Sequence, residues 1–207
     1  MSLATYADLK TQIPLWATKT SLTAQIPDFV TWAHEEICRR LRAPVLYARA
    51  DVTVSAETAV APTGFLAAKR FYLDTSPRRV LNVTDSAHLI DITGQYTTVD
   101  YPTHFAVEGT DTLAFAPLFS TSSTGKLLYY KAPTTLAVDA DTNVVLTKYP
   151  FLYLYGSLEA LFRYLEDDNN TDRYGGLFGA LLDSINAEEA KDATRGPLIG
   201  SPSSFVV

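Results

Sequence analysis

Cysteine and histidine are scarce in this chain, with one Cys (Cys38) and three His in 207 residues. A single thiol forbids an intrachain disulfide, which excludes a disulfide-built secreted scaffold. Three imidazoles leave little material for a nucleophile–base pair or a metal centre. No catalytic, cofactor-binding or metal-ligating residue is therefore assigned. No apolar run approaches about 18 residues, so no membrane-spanning helix is expected. The N-terminal stretch lacks the apolar core of a secretory signal, and the reading expects a chain made in a cytoplasm. A basic balance is missing as well. Net charge is −6, whereas a duplex-binding module carries a basic face. Only Arg39, Arg40, Arg42 and Arg49 form a local basic cluster.

Apolar residues are plentiful instead, at 47 % against 19 % charged, enough for one full core. Tyr6, Leu9, Ile13 and Ala17 recur at helical spacing, with Pro14 expected to kink that helix. Leu22, Ile26, Phe29, Ala33, Ile37 and Leu41 step by threes and fours along a second helix. Pro27 suits its first turn, the arginines suit its last, and Pro44 stops it. The period then changes to two. Val52 and Val54 alternate with polar residues, and Phe71-Tyr72-Leu73 and Val80-Leu81-Asn82-Val83 read as further strands. Phe105 and Val107 answer Leu113 and Phe115 across Gly109-Thr110-Asp111, which predicts a hairpin. Leu127 to Lys131 reads as one more strand, and residues 85–90 as a short helix.

Helical spacing returns with Phe151, Tyr155, Leu158, Phe162 and Leu165, an a/d seam entered at Pro150. Glu166-Asp167-Asp168-Asn169-Asn170 should break this helix, because acids oppose its carboxyl end. A last helix is expected from about residue 171 to 194, with Tyr174, Phe178, Leu181 and Ile185 on one face. Short links make each helix pair antiparallel, and each seam needs the other pair to cover it. The expected fold is α+β: an antiparallel four-helix bundle (two N-terminal and two C-terminal helices) with an inserted small antiparallel β domain and an extended C-terminal arm. Its parts are residues 1–44, the first helix pair; 45–146, the β-rich insert; 147–195, the second pair; and 196–207, the arm.

Local motifs carry little chemistry. His34 and Cys38 lie four apart on one helical face but lack the HExxH pattern. Tyr155-Gly156-Ser157-Leu158-Glu159 lacks the second Gly of a nucleophile elbow, and a small Gly156-Ser157 pair suits close helix packing. Gly175-Gly176 has no phosphate-loop spacing. Asp139-Ala140-Asp141 opens like a calcium loop, without its Gly or its closing Glu. The arm is more telling. Gly, Pro and Ser keep residues 196–207 from continuing a helix, yet they include Leu198, Ile199, Phe205, Val206 and Val207. An apolar, non-helical tail is expected to dock on another protein.

The ordered set of segments resembles the head-to-tail adaptor proteins of tailed bacteriophages, the short-tailed type especially. The likeness runs from Tyr6 to Glu189. It includes the Tyr6-Ala7-Asp8-Leu9 helix start, LTAQIPDFVTWAHEEICRRLRAP from Leu22, and Pro62-Thr63-Gly64-Phe65. THFAVEG, TLAFAP and LLYYKAPTTL follow. NVVLTKYPFLYLYGSLEALFRYLEDD from Asn143 completes the set. The resemblance implies a virion structural protein and no enzyme. It implies a ring, usually of twelve subunits, beneath the portal protein, which extends the DNA channel and receives the tail nozzle or tail tube. DNA passes through without specific binding. Pro197, Leu198, Ile199, Phe205, Val206 and Val207 would contact portal or a neighbouring subunit. Glu166, Asp167, Asp168 and Asp172 are candidates for acids that line the channel and repel phosphate. Within the structural class the alternative is a head-completion stopper or tail-tube protein, against which the two helical seams argue. From another class it is a ligand-binding or hydrolytic enzyme, which would need His88 or His104 beside a carboxylate in a deep pocket.

Overall fold

The computed structural model describes residues 3–19, 21–95 and 98–194. Helix α1 (Tyr6–Ala17) opens with a capping box: Thr5 Oγ1 accepts from the Asp8 amide, and the Asp8 carboxylate accepts from the Thr5 amide. Pro14 lies inside it. Helix α2 (Ile26–Arg40) carries Pro27 in its first turn and ends in Arg39 and Arg40, as the helix dipole favours. Pro44 then starts a short 3-10 turn, Pro44–Leu46.

Seven strands follow: β1 (Tyr47–Val54), β2 (Thr58–Val60), β3 (Phe65–Leu73), β4 (Arg79–Val83), β5 (His104–Glu108), β6 (Thr112–Ala116) and β7 (Ser123–Lys131). They form one sheet in the order β1-β7-β3-β4-β5-β6-β2. β1 leads into β2 through a short turn, so the two edges curl toward each other and the sheet nearly closes. Phe71, Leu73, Phe105, Leu113, Phe115, Leu127 and Tyr129 fill its interior. The predicted hairpin is present, with Phe105 opposite Phe115, Val107 opposite Leu113, and Gly109 at φ 63° in the turn. Strands β4 and β5 run parallel. A parallel pair needs a crossover, which helix α3 (Ser86–Gln95) supplies. Its Leu89 and Ile92 cover Ala106, Ala114 and Ala116 on the outer side of the hairpin.

Helices α4 (Val144–Lys148), α5 (Pro150–Tyr164) and α6 (Asp168–Thr194) end the described chain. α5 buries Leu152, Tyr153, Leu154, Ser157, Leu158, Leu161 and Phe162 around nearly its whole circumference. A helix apolar all round is a central helix, and α5 packs against α1, α2, α4 and α6. Gly156 permits the closest approach: a Cβ there would sit 2.9 Å from Ala33 Cβ and 3.2 Å from the Phe178 ring.

This architecture corrects the expected one. The molecule is α+β, but it is not an antiparallel four-helix bundle with a small antiparallel insert. Of the six α-helices among the described residues, α1, α2, α4 and α6 pack on the hub α5, and the seven-stranded sheet is mixed, nearly closed and built on its own core. Helical spacing gave α5 one apolar face, whereas its burial runs around the helix. The expected seam is also divided. Leu158 and Phe162 are buried, but Phe151 is 43 % exposed.

The two cores meet on β7. Adjacent strand residues point to opposite faces, so Tyr129 enters the sheet interior while Tyr130 joins the helical core.

Candidate interaction surfaces

A buried polar thread links the hub to its neighbours. Asn143 caps α4, its Oδ1 accepting from the Val145 and Leu146 amides. Its Nδ2 donates to Thr134 O at 2.7 Å and to Tyr153 Oη at 2.9 Å. The Tyr153 hydroxyl proton is then free for His34 Nδ1, 2.8 Å away. That assignment leaves His34 Nε2–H directed at Cys38 Sγ, 3.6 Å away. Burial holds His34 below the usual imidazole range, and pushes the Tyr153 phenol and the Cys38 thiol up, with the Arg42 charge opposing the latter. A neutral imidazole beside a protonated thiol has no activated nucleophile. The thread fastens α2, α4 and α5 together.

His88 and His104 lie 6.4 Å apart, centroid to centroid, beside a 350 Å³ cavity that also includes Ile92, Val99 and Pro117. His104 contacts Thr103 and Asn82, and among the described residues no carboxylate lines the cavity. The Ser157 hydroxyl is sealed in the helical core. Among the described residues no group of three or more His, Cys, Asp or Glu could hold a metal ion, and no helix is long and apolar enough to cross a membrane.

The candidate acids gather at the corner between α5 and α6. Glu166 has a left-handed backbone, φ 56°. The Asp167 carboxylate accepts from the Asn170 backbone amide at 3.2 Å and from its Nδ2 at 2.8 Å, contacts that hold its pKa below the ordinary value. Asp167 thus caps α6, which starts at Asp168, ahead of the expected residue 171. Capping of the following helix thus accompanies the break after α5. Glu166, Asp168 and Asp172 are exposed. The candidate arm residues Pro197, Leu198, Ile199, Phe205, Val206 and Val207 lie outside the described residues.

Two surfaces escaped the sequence reading. One is a basic concavity of 920 Å³ on the outer face of the sheet, lined by Arg49, Arg70, Arg78 and Lys126 around Tyr72 and Val80. Lys126 pairs with Asp51 at 2.7 Å. Arg49 and Arg70 have no ion-pair partner among the described residues. The strand register brings these cations together, since Arg49 and Arg70 both flank Leu128.

The other is aromatic. Trp16 of α1 and Phe151 and Tyr155 of α5 form a triangle with ring centroids 5.7–6.5 Å apart. Tyr155 continues it to Tyr174 of α6, and Tyr174 stacks on Phe162 at 5.4 Å. Trp16 and Tyr155 are half-buried, Phe151 is 43 % exposed and Leu15, adjacent in sequence to Trp16, is 59 % exposed. Such side chains dominate the buried centres of protein interfaces.

A family model described as SU10 adaptor protein matches residues 4–200 of the chain. No curated protein matches it.

Proposed function

Because the chain belongs to the SU10 adaptor protein family, a family of phage structural adaptors, we propose that it joins head to tail in the virion neck as a ring. In this reading twelve copies close beneath the portal of a short-tailed phage, extend the DNA channel and receive the tail nozzle. The observation that carries the ring is the aromatic triangle in which exposed Phe151 stands beside half-buried Trp16 and Tyr155, with exposed Leu15 nearby. Exposed apolar side chains beside such a cluster gain most when another protein covers them. Ring subunits use two different faces, so the covering surface differs from the covered one.

The exposed carboxylates Glu166, Asp168 and Asp172 support a lumen that repels phosphate, so DNA slides without sticking. Asp167 contributes less, because its carboxylate is engaged in the α6 cap. The arm, residues 196–207, adds interface area without enlarging either core.

Mass photometry and negative-stain microscopy of the purified chain, alone and with its portal protein, test the proposal. Closed rings, alone or seated on portal, are expected. A chain that stays monomeric and ignores portal overturns it.

A further inference from the structure

We propose that the outer sheet face at Arg49 and Arg70 docks an extended, carboxylate-bearing segment of a partner protein, one with an acidic side chain two residues from an apolar one. The inference goes beyond the ring reading and needs only the sheet.

The strand register builds the site. Arg49 of β1 and Arg70 of β3 stand opposite Leu128 of β7, one on each side of it. Neighbouring strands lie about 4.8 Å apart, so the two arginine backbones flank Leu128 at about 9.6 Å from each other. Two residues along, Asp51, Lys126, Tyr72 and Val80 form the next row on the same face. The rows are about 7 Å apart. Val52, Phe71, Leu73 and Leu127, which alternate with these residues, fill the sheet interior and fix the face from behind.

Charge on this face is matched everywhere but in the first row. Lys126 pairs with Asp51 at 2.7 Å, and Arg78 lies 3.7 Å from Asp74 and over the Tyr72 ring. Arg49 and Arg70 are exposed, and neither makes a hydrogen bond, ion pair or ring contact among the described residues. Two unmatched guanidiniums on either side of one apolar side chain can grip a single anion from both sides. Their planar forks fit a carboxylate, and arginine clusters are a recurring reader of acidic segments. The second row supplies apolar contact, because Val80 is 53 % exposed beside half-buried Tyr72. An extended segment places residues i and i+2 on one side about 7 Å apart, which is the spacing of the rows. A nucleic-acid backbone fits less well. A phosphate track draws on a run of free cations, whereas Asp51 and Asp74 offset Lys126 and Arg78.

The test is fluorescence anisotropy of the full chain at low salt with an end-blocked, fluorescein-labelled peptide, Ser-Glu-Thr-Leu-Ser. Saturable binding is expected. Joint Arg49→Gln and Arg70→Gln substitution should weaken it by at least about tenfold, and so should Gln in place of the peptide's Glu. The peptide change leaves the protein intact, so it decides the matter even where the double variant folds poorly. Val80→Ser should weaken binding as well, and Arg173→Gln on α6 should leave it unchanged. No binding up to about 1 mM, or equal binding of the Glu and Gln peptides, overturns the inference. Tighter binding of an oligothymidine, abolished by the same double substitution, would assign the face to nucleic acid and overturn the peptide. Self-association abolished by that substitution would assign it to a second copy and overturn the peptide too.

Discussion

His34 Nδ1 and Tyr153 Oη lie 2.8 Å apart, with the phenol fully buried and also accepting from Asn143. One hydroxyl therefore joins the second helix of the chain to the hub helix and to the cap of α4. Tyr153→Phe keeps the ring volume and removes that oxygen. Asn143 Nδ2 and His34 Nδ1 each lose a partner. The expected loss is about 1–3 kcal/mol, read as a lower urea midpoint with unchanged slope. A neutral outcome would mean that water replaces the hydroxyl.

The same contact makes stability depend on pH. Burial depresses the pKa of His34 in the folded state, against a small opposing effect of Glu35. The unfolded chain therefore binds more protons than the folded one below the ordinary imidazole pKa, about 6.5. Stability should fall as pH drops through that value toward the depressed folded one, because a protonated Nδ1 can no longer accept from Tyr153. Urea midpoints at pH 7.5 and 5.5 should differ by more in the native chain than in His34→Gln. Equal differences would place the pH dependence on other groups.

Leu158 and Ser157 are neighbours on α5 and both fully buried, yet they should respond in opposite ways. Leu158→Ala opens a cavity in the helical core and should cost about 2–5 kcal/mol. Ser157 Oγ has no hydrogen-bond partner among the described residues. Ser157→Ala removes an unmatched polar atom and should be neutral or stabilising by up to about 1 kcal/mol. Chemical denaturation of the two variants checks the pair. A large loss in Ser157→Ala would reveal a partner for that hydroxyl.

Gly125 of β7 faces the sheet interior against the buried Phe71 ring. A Cβ there would overlap the end of that ring. Gly125→Ala should therefore cost about 1–3 kcal/mol, the usual range for overpacking. Adding Phe71→Leu should return part of it, which a double-mutant cycle would measure. Additive losses would show that the backbone moves and the ring does not.

How much could be read without coordinates depended on whether a pattern was local. The β5–β6 hairpin was legible because alternation and turn residues lie within fifteen positions. Pro27 marked the first turn of α2 and the terminal arginines and Pro44 its end, although Leu22 of the expected apolar face lies ahead of the helix. The hub role of α5 was not legible. Heptad spacing marks which residues share a face but not which faces find covers, so Phe151 and Phe162 looked alike. The parallel β4–β5 pair hung on where α3 carries the chain, a tertiary matter. The basic concavity needed the register, because Arg49, Arg70 and Lys126 come from strands far apart in sequence. The acidic corner was visible, but the link from Asp167 to Asn170 assigns one of its charges to capping.

In the proposed ring, where many copies crowd into one small volume, the curled sheet has a consequence. Open strand borders recruit other strands and seed fibres. Here one border, β2, is only three residues long, and the other, β1, has charged Arg49 and Asp51 among its outward side chains. Copies pressed together can stick through their helices without a competing route into runaway β stacking.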